Sequence, residues 1–196
     1  FWDGAAEDSE DRYQLLRIVG HGSTAVVACA VDRQSGQQVA IKRMGTIFVN
    51  RDYALQVLRE IRLLSQCCHQ NVVSLKTIIA PNDLNQFDTL FLSMDFMESD
   101  MNQHLNKLIR LRQCSSLGHA LLHGPNAGRL EHLHALGAVH RDLKPENLLF
   151  SSTSVSPAAP HGLIRICDFG LSRISLDPKR VDQALKAQMT DARLGG

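Results

Sequence analysis

No apolar stretch in this sequence reaches the roughly 20 residues that a membrane-spanning helix requires. Neither charge is in excess, with a formal net charge of +1. The expected partners therefore include no nucleic acid and no membrane. The first residues, Phe1 to Arg12, are acidic, unlike the basic front of a secretory signal, and are expected to form a flexible extension. The five cysteines, Cys29, Cys67, Cys68, Cys114 and Cys167, lack Cys-x-x-Cys spacing and are odd in number. They read as reduced thiols in a cytoplasmic or nuclear setting. Nine histidines show no His-Glu-x-x-His pattern, and His132 and His134 read as flanking a helix rather than binding zinc. A hydrophobic share of 44% is still enough to bury a core.

What is present is concentrated in one short string, Val139-His140-Arg141-Asp142-Leu143-Lys144-Pro145-Glu146-Asn147. It sets a carboxylate, an ammonium and a carboxamide at fixed offsets. Moving a γ-phosphoryl group to a hydroxyl needs an acceptor for the hydroxyl proton, a cation near the transferred oxygens and a ligand for Mg²⁺. Asp142, Lys144 and Asn147 can supply these in that order. Upstream, Gly20 and Gly22 stand in a turn between the apolar runs Leu15 to Val19 and Val26 to Val31, as in a hairpin whose backbone amides can approach a triphosphate. Val39-Ala40-Ile41-Lys42 ends a strand on a lysine. Leu55 to Leu64, with apolar residues at Leu55, Leu58, Ile61 and Leu64, has helical spacing and carries Glu60. Further on, an apolar strand from Leu163 to Cys167 delivers Asp168-Phe169-Gly170.

Together these strings resemble the signature set of eukaryotic protein kinases, and the Lys144 form of the loop resembles the serine/threonine branch. The third glycine of the phosphate loop is replaced by Ala25. The resemblance implies that Val19, Gly20, Gly22 and Val27 surround ATP and that Lys42, paired with Glu60, holds its α- and β-phosphates. Asp142 and Lys144 become the catalytic pair, with Asn147 and Asp168 as the Mg²⁺ ligands. The string Met94 to Met101 is similar to the hinge of mitogen-activated protein kinases. That likeness makes Met94 the gatekeeper and gives Asp95 and Met97 backbone contacts to adenine, in a slot lined by Val27 and Ala40. Met189-Thr190-Asp191 looks like the start of the activation-lip motif, with a phosphate on Thr190 paired by Arg141 and Arg59. The tyrosine position of that motif is Ala192. No Pro-Ser-Thr-Ala-Ile-Arg-Glu-like helix occurs in Asp52 to Leu64, which disfavours a cyclin-dependent type.

Two regions depart from the family pattern. Between Cys114 and Leu130, where a long helix is expected, stand Gly118, Gly124, Pro125 and Gly128. An interior proline costs a helix roughly 3 kcal/mol and each glycine about 1 kcal/mol. Leu122 to Ala127 is also what a one-base shift makes of codons for Phe-Met-Ala-Gln-Met-Leu, so the interruption is expected to originate in the reading frame. The second departure is that the sequence stops at Gly196, before any Ala-Pro-Glu element. The large lobe is then expected to be incomplete and transfer activity from these residues alone to be low.

The expected fold is α+β and bilobal: residues 1–12 an extension, 13–93 a β-rich N-terminal lobe, 94–100 a hinge and 101–196 part of a helical C-terminal lobe. Ser151 to Gly162, polar and proline-containing, should be an extended hairpin loop. The expected activity is ATP- and Mg²⁺-dependent phosphorylation of protein serine or threonine in a cascade with an upstream activating kinase. The alternative is an inactive kinase-like module that binds nucleotide or a partner.

Overall fold

Val39 and Ile41 leave their strand on one face, Ala40 and Lys42 on the other, and this two-residue alternation organises the first half of the molecule. The computed structural model describes residues 1–6, 8–22, 24–110, 138–151 and 163–174. It contains two compact units, one formed by Phe1–Ser65 with Val73–Met97, the other by Gln66–Val72 with the described residues from Glu98 onward.

The first unit holds a five-stranded antiparallel sheet of β1 (Tyr13–His21), β2 (Ala25–Asp32), β3 (Gln38–Met44), β4 (Leu75–Ile79) and β5 (Leu90–Asp95), in the order β1-β2-β3-β5-β4. Val39 and Ile41 join Tyr13, Ala30, Ile79 and Phe91 in the core on one face. Residues directly opposite in antiparallel strands share a face, so the pairings Val27 with Lys42 and Ala40 with Met94 put these four on the other.

Helix α1 (Ser9–Arg12) precedes the sheet, and the segment before it is not the flexible extension its acidity suggested. Phe1 and Trp2 pack on the core cluster, with the Trp2 ring stacked on Tyr13 and 5.5 Å from Phe91. The Ala6 amide donates to the Ala80 carbonyl, and Asn82 donates to the Gly4 carbonyl. The reason is local: two aromatic rings and the buried Ala5 outweigh the charges among which they are written.

Helix α2 (Arg51–Gln66) follows β3 and is started by Asn50, whose Oδ1 accepts the Tyr53 amide at 2.8 Å. Its buried row is Val57, Glu60, Leu63 and Leu64. Leu58, counted in the apolar face from sequence, is 48% exposed. The stripe is rotated by about one residue because an acid, matched by a lysine, occupies its centre.

In the second unit Asn71 is buried, and its side chain donates to the Ile164 carbonyl while its own carbonyl accepts the Ile166 amide. Strand β6 (Ser99–Asp100) leads into α3 (Met101–Arg110), capped by Asp100 Oδ1 on the Gln103 amide. After β7 (Ala138–Val139) come a 3-10 turn at Pro145–Asn147, β8 (Leu148–Ser151), β9 (Leu163–Ile166) and β10 (Arg173–Ile174). The sheet order is β6-β8-β9, with β7 and β10 forming a separate antiparallel pair. Met101, Phe150 and Ile164 form its core with Leu105 and Leu148. β8 and β9 make the expected hairpin arms, Leu148 opposite Ile166. The loop within 152–162, the 114–129 interruption and Thr190 lie outside the described residues. Among the described residues no helix is long and apolar enough to cross a membrane.

Candidate active site

In the first unit the residues expected to hold nucleotide come from four strands, one helix and the loops beside them. Lys42 Nζ reaches Glu60 Oε1 at 2.5 Å, with side-chain exposures of 14% and 6%. The alternation of β3 aims Lys42 away from the Val39–Ile41 core, and Glu60 enters from the buried row of α2. Val27 is opposite Lys42, and Ala40 and Met94, opposite each other, are both buried. Gly20 pairs with Val27, and a Cβ added there would lie 3.7 Å from the Val27 Cβ. Val19 sits where the β1–β2 register shifts, between Ile18 and Gly20. The Gly22 amide donates to the Ala25 carbonyl at 2.8 Å and closes the loop tip.

Beyond Met94, the Asp95 amide donates to the Ser74 carbonyl at 3.2 Å, and its carboxylate pairs with Lys76 at 3.2 Å. The Asp95 amide is thus already engaged within the first unit. Met97, the other residue expected to meet adenine through its backbone, is buried.

In the second unit the string from Val139 to Asn147 folds around Asp142. Lys144 Nζ donates to Asp142 Oδ2 at 2.9 Å, and Asn147 Nδ2 donates to the Asp142 carbonyl at 2.8 Å and to Oδ2 at 3.0 Å. The Lys144 hydrogen bond, then its charge and Asn147, hold the Asp142 carboxyl below the usual carboxylate range. Lys144 is raised in turn, by its bond to Asp142 first and with the Asp168 charge contributing. With its amide hydrogens on Asp142, Asn147 has Oδ1 as its remaining side-chain acceptor.

Asp168 is brought beside this loop by contacts that sequence reasoning did not single out. His140, 4% exposed, accepts the Asp142 amide on Nδ1 and so carries its proton on Nε2, which bonds the Cys167 carbonyl at 2.9 Å. The Cys167 amide donates to the Asn147 carbonyl. The His140 ring meets Phe169 edge-on at 4.8 Å, and Ser172 Oγ donates to the His140 carbonyl. The signal was in the string itself, a histidine two residues before the aspartate, but nothing in its spacing says what it bonds. Arg141 and Asp168 both have positive φ, 70° and 62°. Non-glycine residues pay roughly 1–2 kcal/mol for that conformation, and here the flanking hydrogen bonds and the β7–β10 pair hold it in place.

The protein kinase domain family model matches residues 13–190. The chain belongs to the protein kinase family. It is 34% identical over 165 residues to Extracellular signal-regulated kinase 1 of Dictyostelium discoideum, covering 83% of this chain and 29% of that protein. It is 36% identical over 169 residues to Mitogen-activated protein kinase 8 of Arabidopsis thaliana, covering 85% and 26%. With Mitogen-activated protein kinase homolog NTF6 of Nicotiana tabacum it shares 35% over 160 residues, covering 81% and 40%. The chain thus spans about a quarter to two fifths of the length of these curated relatives.

Proposed function

We propose that this protein transfers the γ-phosphoryl group of ATP to serine or threonine hydroxyls of protein substrates, in a cascade of the mitogen-activated type under an upstream activating kinase. The observation that carries the reading is the hydrogen-bonded set of Asp142, Lys144 and Asn147, with Asp168 near enough to raise Lys144. Asp142, held ionised at neutral pH, orients the acceptor hydroxyl and takes its proton. Lys144 lies where negative charge develops on the transferred oxygens. Asn147 and Asp168 offer one amide and one carboxylate oxygen donor, which suits Mg²⁺, an ion that takes one or two protein ligands and keeps water and phosphate for the rest. When bound, Mg²⁺ neutralises phosphate charge. Lys42, fixed by Glu60, orients the α- and β-phosphates, and Val27, Ala40, Met94 and Met97 supply an apolar slot for adenine.

The test is transfer of label from γ-labelled ATP to a basic protein acceptor, with Asp142→Asn as control. Label on serine or threonine that depends on Asp142 supports the reading; incorporation indifferent to Asp142→Asn refutes it. A second reading, nucleotide binding without transfer, is favoured by one observation: the groups for adenine and the α- and β-phosphates all belong to the first unit. A Mg²⁺-dependent ATP thermal shift lost in Lys42→Met, with no transferred label, selects that reading. The site of action we propose is the cytoplasm or nucleus.

A further inference from the structure

Tyr53 lies in the first turn of α2 and its hydroxyl donates to the main-chain carbonyl of Thr24 at 2.9 Å. Thr24 belongs to the glycine-containing turn between β1 and β2, the turn whose tip is closed by Gly22 on Ala25. Tyr53 and Glu60 are seven residues, two helical turns, apart on one side of α2, roughly 10 Å along its axis. One helix therefore grips the sheet at two polar points: Glu60 holds Lys42 on β3, and Tyr53 holds the turn. Val27, which leads out of that turn, is the residue opposite Lys42.

We infer that Tyr53 is a positioning residue that ties the phosphate-binding turn to α2, so that the height of the turn and the placing of Lys42 are set by the same helix. This rests on the nucleotide reading given above. The bond is side chain to main chain, so it acts whatever residue stands at position 24, and it restrains backbone whose amides would face phosphate oxygens. Its loss would cost phosphate affinity and leave adenine affinity alone, because Ala40 and Met94 are placed by β3 and β5, and Val27 by its pairing with Lys42, rather than by the turn.

The experiment uses the full chain with Tyr53→Phe, which removes the hydroxyl and keeps the ring. Amide hydrogen exchange over residues 20–27 is expected to speed up about fivefold, and Mg²⁺-ATP to bind about fivefold more weakly, the worth of one net hydrogen bond. Adenosine should bind as before. Asn50→Ala is the structural control: it removes the cap that starts the same helix, and is expected to lower thermal stability without separating ATP from adenosine. Equal weakening of ATP and adenosine in Tyr53→Phe, or unchanged exchange in the turn, overturns the tether. An unsubstituted chain that binds no ATP, or loses none of its affinity in Lys42→Met, overturns the nucleotide reading and this role for Tyr53 with it.

Discussion

Lys42 and Glu60 form an ion pair from which solvent is nearly excluded. Such a pair adds little net stability, because desolvating two charges offsets their attraction, yet removing one partner strands the other at a cost of about 3–5 kcal/mol. We expect Lys42→Met to lower unfolding free energy by about 3 kcal/mol, and adding Glu60→Leu to return most of it. Denaturant titration of the single and double variants measures this. Both variants should lose ATP-dependent stabilisation. If the two substitutions simply add, the pair is not coupled as its geometry requires.

On the proposed reading, Asp142 sets the acid side of phosphoryl transfer. Its carboxyl lies below the ordinary range because Lys144 bonds it, so transfer is expected to persist to a pH below about 4, the usual aspartate value, and to fail as pH drops through the lowered folded value. Lys144→Met removes the largest cause. The acid limb of the pH–rate profile should then move up toward the ordinary aspartate value, alongside any loss in maximal rate. A limb that stays put would mean that another group governs it.

The N-terminal strap has a built-in reporter, since Trp2 is the only tryptophan in the chain. Its stacking on Tyr13 predicts that tryptophan emission shifts red together with loss of the first unit's circular dichroism, in one transition. Trp2→Ala is expected to cost about 2 kcal/mol, less than a fully buried ring because Trp2 is only partly buried. Arg12, bonded to Asp32 at 3.3 Å, fastens the end of the strap. Burial alone would raise the Asp32 carboxyl, but Arg12, the Gln34 amide and Ser35 bring it below its usual value. A lowered folded pKa contributes stability that is present above the unfolded value and fades as pH falls through the folded one. Asp32→Asn should therefore be less stable than the parent at pH 7 and nearly equal to it near pH 2, by thermal melts at both.

The first three strands of the first sheet and the hairpin of β8 and β9 were legible in the sequence because apolar runs and turn residues are local signals. Lys42, Glu60, Asp142 and Asp168 were legible as members of strings. What could not be read was anything fixed by a partner distant in sequence. The phase of α2 is one case: an acid is buried in its centre because of a lysine 18 residues earlier. Phe1 and Trp2 are another, since their acidic neighbours masked two rings whose burial depends on Phe91. The role of His140 is a third, because its bond to Cys167 spans 27 residues.

Adjacent cysteines give the last prediction, because Cys67 and Cys68 differ in environment and not in sequence context. Cys67 is 5% exposed, and burial, followed by the nearby Cys68, pushes its thiol up to about 11. Cys68 is exposed, and Cys29 is buried with its thiol also raised by burial. Only the thiolate attacks an alkylating agent. At pH 8 a thiol with a pKa of about 11 is ionised in roughly one molecule in a thousand, and burial bars the reagent as well. Iodoacetamide at pH 8 should therefore modify Cys68 in the folded chain and leave Cys67 and Cys29 untouched, whereas all three react after denaturation. Peptide mass spectrometry resolves the sites. Cys67 reacting in the native chain as fast as Cys68 would mean that the segment just after α2 opens far more readily than the burial of Cys67 allows.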